Sequence, residues 1–125
     1  MNEMLVRLAV VAMAVLLPYM HAHGGGNYSF KHIDNSLGLS SSNVKCIVED
    51  SYGFVWLGTK NGLHRYDGID MRRLNCFDYE AKQGNNNIAA LYEDEHRRLW
   101  VGTDRGVYIY DPKSDRFGFV GVKDA

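Results

Sequence analysis

Cysteine and proline are nearly missing, with two of each in 125 residues. Two cysteines, Cys46 and Cys76, cannot build a disulfide framework. So little proline beside 46% hydrophobic residues excludes a disordered chain. An excess of one charge is missing too. The 14 Lys+Arg are matched by 15 Asp+Glu, a net charge of −1. Nothing would hold a phosphate backbone, so nucleic acid is excluded as a partner of this segment. After residue 24 no apolar run approaches the ~20 residues that span a bilayer. What is plentiful is glycine, at 13, and tyrosine, at 8. That pairing suits a turn-rich β protein better than a helical bundle.

Residues 1–24 read as an export signal rather than as part of the fold. Arg7 and the α-amino group make a positive start, with Glu3 opposing them. Leu8 to Leu17 is an unbroken apolar run, ended by Pro18 and a short polar stretch. This is the three-part plan of a secretory signal. The small residues Ala22 and Gly24 place the cut after Gly24, and the mature chain is expected in the periplasm. His21 and His23 form an H-x-H that can bind metal on a strand. At a cleavage site they are read as unstructured chain, and no metal or other cofactor is expected.

The strongest signal is internal. Asn43–Asp67 lies over Asn87–Asp111 without gaps, 44 residues apart, with nine of 25 positions identical. These are Asn43/Asn87, Glu49/Glu93, Asp50/Asp94, Trp56/Trp100, Gly58/Gly102, Thr59/Thr103, Gly62/Gly106, Tyr66/Tyr110 and Asp67/Asp111. Five further pairs exchange one aliphatic residue for another. A period of 44 falls in the range of β-propeller blades, about 40–50 residues. Each copy reads as four short strands. The first has Val44–Glu49, Phe54–Thr59, Leu63–Tyr66 and Met71–Phe77. The second has Ile88–Glu93, Arg98–Thr103, Val107–Tyr110 and Phe117–Val122. Asn61-Gly62 is a strong hairpin signal. Phe54 to Leu57 is apolar at every position, as in a strand covered on both faces. The fold class expected is all-β: two four-stranded antiparallel blades of an incomplete propeller behind a signal peptide. The blades should occupy 42–80 and 81–125, with a lead-in over 25–41.

The once-per-unit Trp56 and Trp100 are read as wedges between adjacent blades rather than as sugar platforms. Gly58 and Gly102 mark places where the neighbouring blade comes close to the backbone. Tyr66 and Tyr110 are read as packing residues. The repeated Glu49-Asp50 and Glu93-Asp94 sit at a strand end and turn, and are read as turn formers. Asp50-x-x-Gly53-x-x-Trp56 has the wrong spacing for a sialidase-type Asp-box. No pair of carboxylates converges as glycoside hydrolysis requires, and no nucleophile–base constellation is visible, so the chain is not read as an enzyme. Cys46 is expected to be a buried thiol. It lies on the innermost strand of the unit and Cys76 on the outermost, with two strands between them at ~4.8 Å spacing, well beyond the ~7 Å reach of a disulfide.

The run V-x-x-I-x-x-D-x-x-G-x-x-W-x-G-T-x-x-G-L-x-x-Y-D from Val44 to Asp67 resembles the two-component-regulator propeller repeat. Phe30–Ile33 and Gly38–Val44 resemble that family's opening segment after its signal. The second copy departs at Arg97, where the pattern has Gly, and at Val107, where it has Leu. The Arg97 change puts that hairpin's turn geometry in question. The resemblance implies the periplasmic sensor region of a hybrid two-component histidine kinase. In that family two seven-bladed propellers precede an immunoglobulin-like domain, a membrane helix, a kinase core, a receiver and a DNA-binding domain. Such sensors typically detect oligosaccharides. The resemblance also implies that Tyr28–Ile33 carries the strand that closes the ring. Propellers need typically four to eight blades, so the chain is expected to be the start of a longer sensor. Its partners would be an oligosaccharide and further blades, or another copy of itself. Two rivals are an exported carbohydrate-active propeller enzyme and a self-assembling structural or adhesive repeat protein.

Ligand contacts, on geometry alone, should come from loops at one end of the blades. The candidates are Asn43 and Asn87 in the lead-ins, with Lys60, Asn61, Asp104 and Arg105 in the central turns. Amide and charged side chains there suit sugar hydroxyls. Plain turn formation is the competing reading of the asparagines.

Overall fold

The computed structural model describes residues 2–16, 26–27 and 29–121. The chain divides into two units, 1–31 and 32–125. The first contains helix α1, Asn2–Leu16. Its apolar residues Met4, Leu5, Val6, Leu8, Val10 and Val11 are all exposed. No helix among the described residues is long and apolar enough to cross a membrane. The expected cleavage site and the H-x-H pair lie outside the described residues.

The second unit is two four-stranded sheets. One contains β1 (Val44–Glu49), β2 (Val55–Thr59), β3 (Gly62–Tyr66) and β4 (Met71–Leu74) in chain order. A small hairpin of β5 (Phe77–Asp78) and β6 (Gln83–Gly84) follows. The other sheet contains β7 (Ile88–Glu93), β8 (Leu99–Thr103), β9 (Gly106–Asp111) and β10 (Arg116–Val120), again in chain order. Every strand pair is antiparallel. The repeat extends to a shared irregularity. The register shifts between Val44 and Cys46 in β1, and between Ile88 and Ala90 in β7.

The two sheets share one core, formed by Trp56, Leu63, Leu74 and Cys76 from the first half and Ile88, Leu99, Val101, Tyr108 and Tyr110 from the second. A second cluster joins Leu57 and Tyr66 to Leu39 of the lead-in, with Ile33, Val55 and Met71 around it. β2 is buried along almost its whole length, as its unbroken apolar run requires when both faces are covered.

Residues 29–33 form no strand, and Tyr28 lies outside the described residues. The last blade, against which this segment would close the ring, is not among the described sheets. The lead-in makes a short 3-10 turn, Asn35–Leu37. Asp34 caps it by accepting from Ser36 N–H at 2.8 Å, and left-handed Gly38 (φ 98°) ends it. Two expectations need correction. The fourth strand stops at Leu74 rather than Phe77. Cys76 N–H is taken by the Asn86 side chain at 3.1 Å, and the chain turns into the β5–β6 hairpin. Finally, the more deeply buried thiol is Cys76, at 1% exposure, while Cys46 is only half-buried. Cys46 lies on an edge strand with four of its six positions exposed, whereas Cys76 falls where the chain crosses from one sheet into the core of the next. Both cysteines are free.

Candidate functional site

The repeated residues form the same four devices in each sheet. The first is an aspartate-centred turn. Asp50 Oδ1 accepts from the N–H groups of Tyr52 (2.9 Å) and Phe54 (3.0 Å), while Oδ2 accepts from the Trp56 indole at 2.7 Å. Asp94 repeats this with His96 (2.9 Å), Arg98 (3.0 Å) and the Trp100 indole (2.9 Å). Burial desolvates the Asp94 carboxyl and raises its pKa. Against it, the hydrogen bonds from Arg98 N–H, the Trp100 indole, the Arg98 side chain and His96 N–H hold it far below the usual carboxylate range. Reading these aspartates as turn formers omitted the indole bond. It ties the turn to the wedge six residues on.

Arg97 does not disturb this geometry. Gly53 (φ 87°) and Arg97 (φ 60°) are both left-handed, and each donates to the carbonyl of its aspartate at 3.0 Å. The left-handed conformation costs a side chain about 1–2 kcal/mol. The Arg97 guanidinium lies over the Tyr52 ring of the other sheet, 5.4 Å from its centre, which offsets part of that cost.

The second device is the tryptophan. Trp56 is 2% exposed and meets Tyr110 edge-on at 5.2 Å and 61°. It is a wedge between sheets. Trp100 is only half-buried, and no further sheet covers it among the described residues. The third device is the threonine-glycine hairpin. Thr59 Oγ donates to Gly62 C=O at 3.1 Å and accepts from Asn61 N–H at 3.1 Å. Thr103 does the same with Gly106 (2.8 Å) and Arg105 (3.3 Å). Gly62 (φ 131°) and Gly106 (φ 145°) take a conformation that side chains rarely adopt. The fourth is the tyrosine anchor. Tyr66 donates to Gly68 C=O at 2.6 Å, and Tyr110 to Asp115 Oδ1 at 2.6 Å. Burial and this bond push the Tyr110 hydroxyl up to about 12. Asp115 also pairs with Arg72 of β4 at 2.8 Å, joining the sheets at their outer strands.

The model of the two component regulator propeller family matches residues 38–61 and 82–105. Both matches cover a first strand, an aspartate turn, a tryptophan and a threonine hairpin of the kind just described. These are propeller repeats. No curated protein matches the sequence. The two sheets are accordingly two blades, 1 and 2.

The six candidate ligand contacts lie at the blade end opposite the aspartate turns. Part of the set comes together. Asn85 Nδ2 donates to Asp104 Oδ1 at 2.7 Å, Asn85 Oδ1 accepts from Asn87 N–H at 2.8 Å, and Lys45 of blade 1 donates to Asn87 Oδ1 at 2.7 Å. Hydrogen bonds from Asn87 and Asn85 lower the Asp104 pKa. So Asn87 and Asp104 share a polar network that crosses the blade boundary through Lys45, a residue the sequence reading missed. Asn61 presents its backbone carbonyl to Ser40 Oγ (3.1 Å) and to Arg73 (2.8 and 3.1 Å). Asn43 closes a turn with Ser41 Oγ at 3.2 Å. Lys60 and Arg105 have exposed side chains in the central turns. A cavity of ~690 Å³ is elsewhere. It lies between the β5–β6 hairpin and β9–β10, on the face of blade 2 that carries Ile109.

Proposed function

We propose that this chain supplies blades of a ligand-sensing β-propeller in a two-component signalling protein. It is exported to the periplasm by its N-terminal segment, binds oligosaccharides and catalyses nothing itself. The observation that carries the reading is the match of both repeats to the two component regulator propeller. The exposed apolar residues of helix α1, among them Leu8, Val10 and Val11, support export, since such a run suits a membrane machinery better than water. The polar network of Asn85, Asn87, Asp104 and Lys45, flanked by Lys60 and Arg105, supports sugar binding. Hydroxyl-rich ligands need converging amide and charged groups.

The test is titration of the chain with a panel of purified oligosaccharides, followed by calorimetry and by product analysis. The reading expects saturable binding with no change in the sugar, lost in Asp104→Ala and Asn87→Ala. Cleavage of the sugar would favour an exported enzyme. Binding unaffected by either substitution would remove this end of the blades from the account.

A further inference from the structure

Blade 1 offers a docking face that the lead-in covers. Val55, Leu57 and Tyr66 stand 44 residues before Leu99, Val101 and Tyr110. In blade 2 the latter three are buried in the core that Trp56 of blade 1 completes. In blade 1 the equivalent three are covered by Ile33 and Leu39 instead. The lead-in therefore occupies the place where a preceding blade's tryptophan would sit. The opposite face is also present on this chain. Trp100 and Gly102 repeat Trp56 and Gly58 on blade 2, and among the described residues no sheet covers them.

One side chain latches the lead-in. His64 of β3 is 0% exposed, and its Nε2 accepts from Ser40 N–H at 3.1 Å. An acceptor at Nε2 places the ring proton on Nδ1. Nδ1 itself closes no hydrogen bond, although the Leu57 and Gly62 carbonyls face the ring. The charged side chain acting on the ring is Arg73 of β4; the lead-in brings Ser40 and β2 brings Leu57, neither of which titrates. Burial first, then Arg73, lowers the His64 pKa. A second proton would turn Nε2 into a donor pointing at the Ser40 N–H, replacing attraction by repulsion. The position is not part of the repeat pattern, since blade 2 has Tyr108 there.

We propose that residues 33–40 are a strap latched by neutral His64, and that protonation of His64 releases the strap and opens the blade 1 face to the Trp100 side of a second copy. The contact would repeat the interface already formed between blades 1 and 2, in the head-to-tail sense that can propagate or close.

The test follows hydrogen-exchange protection at Leu39 and Ser40, and sedimentation mass, for the whole chain at about pH 7.5 and about pH 5. The parent should be strapped and monomeric at the higher pH. As pH falls below about 6.5, where a released His64 takes up its proton, protection should fall by up to about tenfold per unit and level off once the strapped chain's own lowered His64 pKa is passed, and the mass should rise. His64→Gln keeps an acceptor near the Nε2 position and does not titrate, so it should stay strapped and monomeric throughout. Ser40→Pro removes the donor N–H and should associate at both pH values. Trp100→Ala should release its strap in acid and remain monomeric. An unchanged parent, an equal acid response in His64→Gln, a released strap without association, or association of Trp100→Ala would each overturn the proposal.

Discussion

Gly58 and Gly102 hold the same place in the repeat, yet among the described residues only Gly58 has a blade against it. A Cβ on Gly58 would run into Cys46 Sγ and come within 2.6 Å of Ile88 Cγ2, which belongs to blade 2. Carbon atoms in contact sit about 3.5–4.0 Å apart, so blade 2 would have to move by roughly an ångström. Overpacking of that kind costs about 1–3 kcal/mol. At Gly102 the nearest atom to an added Cβ is Ala90 Cβ at 3.4 Å, within the same blade. That neighbour needs to give very little, and alanine reduces the freedom of the unfolded chain. Gly102→Ala should therefore be neutral or stabilising by about 0.5 kcal/mol. Urea unfolding followed by far-ultraviolet circular dichroism measures both. Equal losses in the two variants would mean that glycine serves the strand's own geometry, and the close approach of blades would not be its reason.

Other substitutions test the remaining devices. Trp56→Ala should cost about 3–5 kcal/mol, and Trp100→Ala clearly less, since Trp100 is only half-buried; urea midpoints of the two decide it. Arg97→Gly relieves a left-handed side chain but loses the stack on Tyr52, so stability should change by no more than about 1 kcal/mol, checked by thermal unfolding. Burial pushes the Cys76 thiol up to about 12, leaving it protonated. Iodoacetamide at neutral pH should label it only after unfolding, read by peptide mass spectrometry. The unfolded chain binds the His64 proton from about pH 6.5 downward, ahead of the folded chain. Stability should therefore decline as pH drops through that value and level off below the folded-state pKa, and His64→Gln should remove this slope from a urea series.

The 44-residue period, the strand run from Phe54 to Leu57 and the glycine and tryptophan positions carried the architecture, because each reports a local constraint that the repeat states twice. Arg97 shows how strong that statement is: the turn keeps its shape although the residue is unfavourable for it. Features that depend on a single partner were not legible. The end of β4 is decided by Asn86 capturing Cys76 N–H, and nothing in Met71–Phe77 announces that competitor. The Asp50 and Asp94 bonds to indole need the turn's three-dimensional shape before the six-residue spacing means anything. Lys45 joins the candidate ligand end only because the two blades stack, which brings residues 42 apart in sequence into hydrogen-bond range. Residues 29–33 read as a strand by resemblance, but strand pairing is non-local and depends on an edge to join.

The central claim is that these repeats stack as propeller blades through Trp56 against Tyr110. A double-mutant cycle between the two residues tests it most directly. Trp56→Leu, Tyr110→Leu and the pair should show a coupling of about 0.5–1.5 kcal/mol, as an edge-on aromatic contact gives. Strict additivity of the two single losses would contradict the stacking, and with it the account of the tryptophan as the wedge between blades.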